Sequence, residues 1–122
     1  MGTWGSGNFD SDTAADHLVV LTDRLIKEVA EAMDGDPVAI EPDEYWGVAV
    51  PCNLELLHLI AQQGYAGALL PDKATVEAWK TKFLSVWDES IDGLGPSELH
   101  KTERRAVLAR TFDQLAEAAS RA

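Results

Sequence analysis

The side chains able to do chemistry in this chain are few, and their spacing argues against most of the chemistry they could do. Histidine stands at His17, His58 and His100, with no His-x-x-x-His pair among them. Helical zinc sites place two imidazoles one turn apart, so these three read as separate surface or half-buried residues. Asp10, Asp12 and Asp16 lie close enough in sequence to offer oxygen ligands to a hard cation. A calcium loop needs more donors and a bidentate glutamate at its twelfth position. Helix capping by Asp12 and a first-turn carboxylate at Asp16 explain them more simply. The one cysteine, Cys52, follows Pro51 and has no histidine one helical turn away to activate it. It is expected to be a small buried residue. A single cysteine also excludes an intramolecular disulfide and a cysteine-cluster metal site. The expectation is therefore no catalytic residue, no metal and no cofactor.

Charge is the more informative signal. The 122 residues hold 10 Lys and Arg against 21 Asp and Glu, a net charge of −11. Such a surface repels phosphate backbones, so nucleic acid is not an expected ligand. The acidity is unevenly spread: residues 1–46 carry 11 acidic groups and two basic ones, Arg24 and Lys27, whereas residues 47–122 carry 10 and 8. Glu28, Glu31, Asp34, Asp36, Glu41, Asp43 and Glu44 form the densest run, a candidate face for a basic partner whose encounter the field would speed. Lys101, Arg104, Arg105 and Arg110 carry the opposite sign near the C-terminus. A monomer or a weak homo-oligomer joined acidic face to basic face is expected.

Four helical segments must position these groups. The chain is one domain long, and its 46% apolar and 25% charged composition is that of a folded globule. Ala14, Leu18, Leu21, Leu25, Val29 and Ala32 recur at three- and four-residue steps, predicting a helix over 13–33 capped by Asp12 and stopped by Asp34-Gly35-Asp36-Pro37. A second helix is expected over 42–63, ending at Gly64 and kinked near 47–51, because Pro51 lacks the N–H that would bond Gly47. The third spans 73–91 behind Asp72, with Val76, Trp79, Phe83, Val86, Trp87 and Ile91 as its bulky stripe. The fourth runs from 96 or 97 to the end, with Leu99, Ala106, Ala109, Phe112, Leu115, Ala116 and Ala119 inward. Pro37-Val38-Ala39-Ile40 is apolar but has no second strand to pair with. Gly64-Tyr65-Ala66-Gly67 lacks a phosphate-loop pattern and reads as a turn. The fold expected is an all-α four-helix bundle with short antiparallel connections.

The opening segment alternates Gly2, Gly5 and Gly7 around Trp4 and leads through Phe9 into Asp10-Ser11-Asp12. Two large aromatics among glycines predict a packed arm plugging the end of the bundle, the alternative being an amide nest for an anion. The run Met1, Gly2, Trp4, Gly5, Gly7, Phe9, Asp12, Ala14 and Asp16 resembles the N-terminus of a small bacterial family of unknown function, DUF4259. The resemblance implies that the arm is a defining feature of the fold. It brings no activity and no catalytic residues. The same segment has no basic region followed by an apolar one, so no signal peptide is expected and the location expected is cytoplasmic. No apolar stretch approaches the length of a membrane span.

Two functional readings lead, ahead of a third, a weakly catalytic enzyme built on carboxylates or His58, which the sequence supports least. The first is a non-enzymatic protein-binding module, of the immunity or inhibitor type, whose acidic face masks a basic site on a partner. The second is a small-molecule or metal-binding helical protein with a pocket beside the kinked second helix. Trp4, Tyr45, Trp46 and His58 are its candidate pocket residues, the aromatics being suited either to line a cleft or to pack under the arm.

Overall fold

The computed structural model describes residues 2–35 and 38–121. Four helices account for most of them: α1 (Asp12–Met33), α2 (Tyr45–Gln62), α3 (Lys73–Ser90) and α4 (Glu98–Arg121), with a short 3-10 turn at Ile91–Leu94. α2 packs against α1 and α4, α4 against α3, and α3 closes the ring against α1. Asn53 of α2 bonds Leu25 and Glu28 of α1, while Trp46 faces Glu31, Ala32 and Gly35 near the end of α1, so these two helices run antiparallel. Lys80 pairs with Asp113 and Asp88 with Arg105, which makes α3 and α4 antiparallel as well. The all-α bundle expected from the periodicity is the observed architecture.

The core is built from the stripes each helix turns inward. Val29 and Met33 of α1, Val50, Leu54 and Leu57 of α2, Val76 and Phe83 of α3, and Leu108, Phe112 and Leu115 of α4 are almost fully enclosed. Phe83 and Phe112 meet across the α3–α4 seam with ring centroids 5.5 Å apart at 50°, within the range aromatic pairs favour. Ile40, from the apolar fragment before α2, forms no strand but is fully buried as a plug over the core. Its loop lies so close to α2 that a Cβ at Gly47 would meet the carbonyl oxygen of Glu41. Residues 38–44 are therefore irregular, and α2 starts at Tyr45 rather than at Pro42. The helix continues through Pro51, which is buried.

Two details at the start of α1 differ from expectation. Ser11, not Asp12, is the N-cap: its hydroxyl accepts from the Ala14 N–H at 3.1 Å, and Asp12 is the first helical residue. The arm folds back on the helix it precedes. Trp4 N–H donates to the Asp10 carbonyl at 2.7 Å, Asp12 N–H donates to the Gly2 carbonyl at 2.6 Å, and Thr3 bridges Ser11. This bridge is the sole β-type pairing among the described residues.

The loop between α2 and α3 is held by long-range contacts. Gly64 at φ +70° follows the α2 cap in the left-handed region, as the sequence predicts. Gly67 at φ +90° lets the chain pass against Ala15, whose carbonyl a Cβ would strike. Buried Thr22 donates to the Leu18 carbonyl at 2.6 Å and accepts from the Leu69 N–H at 3.0 Å, tying the loop to α1 through one hydroxyl.

Candidate functional site

The candidate acidic face sits at one end of the bundle, where the last turns of α1 meet the loop into α2. Glu31 and Asp34 are exposed near the carbonyl end of α1, and Asp43 and Glu44 are exposed before the amide end of α2. Glu41 is half-buried, and its carbonyl accepts from the Glu44 N–H, closing the turn that presents these carboxylates. Asp36 lies outside the described residues. Glu28 is different in kind. It is half-buried at the α1–α2 seam and accepts from the Asn53 amide at 3.0 Å and from Arg24 at 3.3 Å. The Asn53 bond first, then Arg24, holds its carboxyl below the ordinary carboxylate value.

The two ends of the helix dipole treat this charge oppositely. Carboxylates at the start of a helix are stabilised and those at its end are destabilised, by about 0.3–1 kcal/mol each at low salt. Asp43 and Glu44 precede α2 and satisfy the rule. Glu31 and Asp34 break it: the last turn of α1 holds no basic residue, and its terminal carbonyls instead receive the Lys82 ammonium from α3, which donates to Met33. Among the described residues Glu31, Asp34, Glu41, Asp43 and Glu44 take part in no ion pair. Arg104 of α4 shares a groove with Pro42, between Glu41 and Asp43, but forms no ion pair with either. Lys101 pairs with Asp92 at 2.7 Å and Arg105 grips Asp88 through two hydrogen bonds, so much of the basic strip is neutralised within its own half of the bundle.

The four candidate pocket residues are not brought together. Trp4 is 52% exposed and does not plug the bundle; its indole N–H donates to Asp12 at 3.1 Å. Short backbone bonds close the arm on itself and on the first residue of α1. Tyr45 and Trp46 sit at the far end of α2, edge to face at 5.0 Å, with Tyr45 74% exposed. They do not lie under the arm, because α2 runs antiparallel to α1 and carries them away from it. Phe9 is the aromatic of the arm that finds a partner, stacking on Tyr65 at 4.4 Å. His58 lines a separate open groove of about 380 Å³ with Gln62, Tyr65, Leu70, Ala118 and Arg121. His100 lines another with Pro42, Trp87 and Arg104, so the two imidazoles stay apart. Glu55 stands three residues before His58, a spacing seen in metal helices, yet among the described residues no three His, Cys, Asp or Glu gather into a metal-holding group.

The arm carboxylates have local partners. Asp10 accepts from the Gly7 N–H at 3.0 Å, and a Cβ on either Gly5 or Gly7 would come within 2.7 Å of its oxygen. The glycines thus make room for a carboxylate that the chain itself supplies. Cys52 is exposed, not buried, because it lies on the side of α2 opposite the core.

The fold and this site define a small helical bundle that gathers exposed carboxylates at one end. The chain belongs to the family described as Domain of unknown function (DUF4259), whose model matches residues 2–121. No curated protein and no solved structure matches it. Among the described residues no helix is long and apolar enough to cross a membrane.

Proposed function

We propose that the protein is a cytoplasmic, non-enzymatic binding module of the immunity or inhibitor type, which docks a basic protein on the face formed by Glu31, Asp34, Glu41, Asp43 and Glu44. The reading rests chiefly on Glu31 and Asp34. They place negative charge at the pole of α1 that disfavours it, and among the described residues neither is held in an ion pair. A chain shaped for stability alone would carry lysine there, and cost in the free state is what a surface kept for a partner shows. A carboxylate cluster of this density also raises the encounter rate of a basic partner in a salt-dependent way. Glu28, with Asn53 and Arg24 as its partners, belongs to the scaffold under this face.

Affinity capture from a lysate of the native host tests the proposal, run at about 50 mM and about 500 mM salt. The bait is compared with the variant Glu31→Lys, Asp34→Lys, Asp43→Lys, Glu44→Lys. A basic protein held at low salt, released at high salt and missed by the variant supports the reading. Equal capture by both baits overturns it.

A further inference from the structure

α2 is the most apolar helix of the bundle, and it is apolar on the side away from the core as well as toward it. Tyr45, Val48, Cys52, Leu56 and Leu59 are exposed, at 74%, 53%, 46% and 49% for Tyr45, Val48, Leu56 and Leu59. At 100° per residue the five fall within an arc of about 80°, centred opposite the buried Val50 and Leu54. An amphipathic surface helix carries polar residues there. The first half of the stripe opens into a shallow groove of about 410 Å³, lined by Tyr45, Val48, Ala49 and Cys52 with Asp43 and Glu44 at its mouth.

We infer that this stripe is a docking groove for a basic amphipathic helix, whose apolar face covers Tyr45, Val48, Cys52, Leu56 and Leu59 while its lysines and arginines meet the flanking carboxylates. The charge chooses the occupant. Glu44 caps α2 and Glu55 lies on it beside the stripe, and Glu31 stands across the α1 seam facing Trp46. A second copy of this chain would bring a further −11 against the first, so like charges oppose self-pairing. A helix with apolar anchors at i, i+3, i+4 and i+7 and basic flanks satisfies both features of the surface. The inference rests on the acidic-face reading and deepens it by naming the shape and chemistry of the segment bound.

Three synthetic 18-residue peptides test it: a leucine–lysine amphipathic helix, a scrambled peptide of the same composition without a continuous apolar face, and a leucine–glutamate helix. Calorimetry reads affinity, and the rate at which Cys52 reacts with a thiol reagent reads cover over the stripe. The leucine–lysine helix is expected to bind and to slow Cys52 modification at least about tenfold, and Leu56→Ser/Leu59→Ser to weaken it about tenfold with helicity unchanged. The leucine–glutamate helix is expected not to bind. If the scrambled basic peptide binds as tightly and Cys52 stays reactive, the groove is overturned while the acidic face stands. If neither basic peptide binds, the charge reading itself has failed. Concentration-dependent protection of Cys52 without peptide, with a dimer in sedimentation, would assign the stripe to self-association and overturn the inference.

Discussion

Replacing Asp34 by lysine puts a cation where the carbonyls of α1 end, and it separates stability from function in one substitution. Asp34 is the C-cap of α1, exposed, with its N–H bonded to the Ala30 carbonyl and no basic residue in the preceding turn. Removing the carboxylate relieves an unfavourable interaction of about 0.3–1 kcal/mol with the helix dipole, and the ammonium adds a favourable one of similar size. Lys82 already donates to Met33, so the new lysine meets a like charge there and the lower half of the range applies. The expected gain is about 0.5–1 kcal/mol near 20 mM salt, fading at about 1 M as screening grows. Chemical denaturation at both salt concentrations measures it, with an unchanged m-value showing that the folded and unfolded states keep their exposure. The same variant should lose affinity for a basic partner. A variant less stable than the parent at low salt would refute the claim that α1 carries its terminal charge at a cost.

Thr22→Val keeps the shape but removes the hydroxyl that serves both Leu18 and Leu69; the orphaned Leu69 N–H should cost about 1–3 kcal/mol in equilibrium unfolding, and a loss below about 0.5 would mean that water reaches it. Trp4→Ala should cost about 1 kcal/mol or less, not the roughly 2–4 of a buried aromatic, since the half-exposed ring gives up one bond to Asp12; a larger drop in melting temperature would place the ring in the core. Asp88 titrates below its usual 3.8 because Arg105 donates to it, so its contribution is complete above that value and lost as pH falls through the lower folded one. With both side chains over two-fifths exposed, Asp88→Asn should cost at most about 0.5 kcal/mol at pH 7 and progressively less as pH falls below 3.8; a cost independent of pH would point to packing instead.

The helices were legible where punctuation and a one-sided stripe agreed. α3 shows both: Asp72 stands before it, Gly93 and Gly95 follow, and Val76, Trp79, Phe83 and Trp87 occupy one face. α2 has apolar residues all round, so its pattern could not say which side faces the core. That is why Cys52 was expected inside and lies outside. In α4 Leu99 and Ala106 extend the apolar pattern N-terminally but are exposed, while Leu108, one step off that pattern, is fully buried. The helix reaches the core with its later turns. The arm was recognisable as special, but its physics was not: Asp10 fills the space left by Gly5 and Gly7, and Phe9 finds Tyr65 across 56 residues of chain. Contacts of that sequence separation leave no local signal. The acidic run was plain from composition, whereas the division of Glu28 from Glu31 and Asp34 required knowing where Asn53 lies.

The most direct test of the acidic-face account is the salt dependence of complex formation with the captured basic partner, measured side by side for the parent and for Asp34→Lys. Affinity is expected to fall steeply with salt for the parent, and the variant, though more stable, to bind several-fold more weakly at about 50 mM salt and to converge with the parent at about 500 mM. Identical affinities at low salt would contradict it.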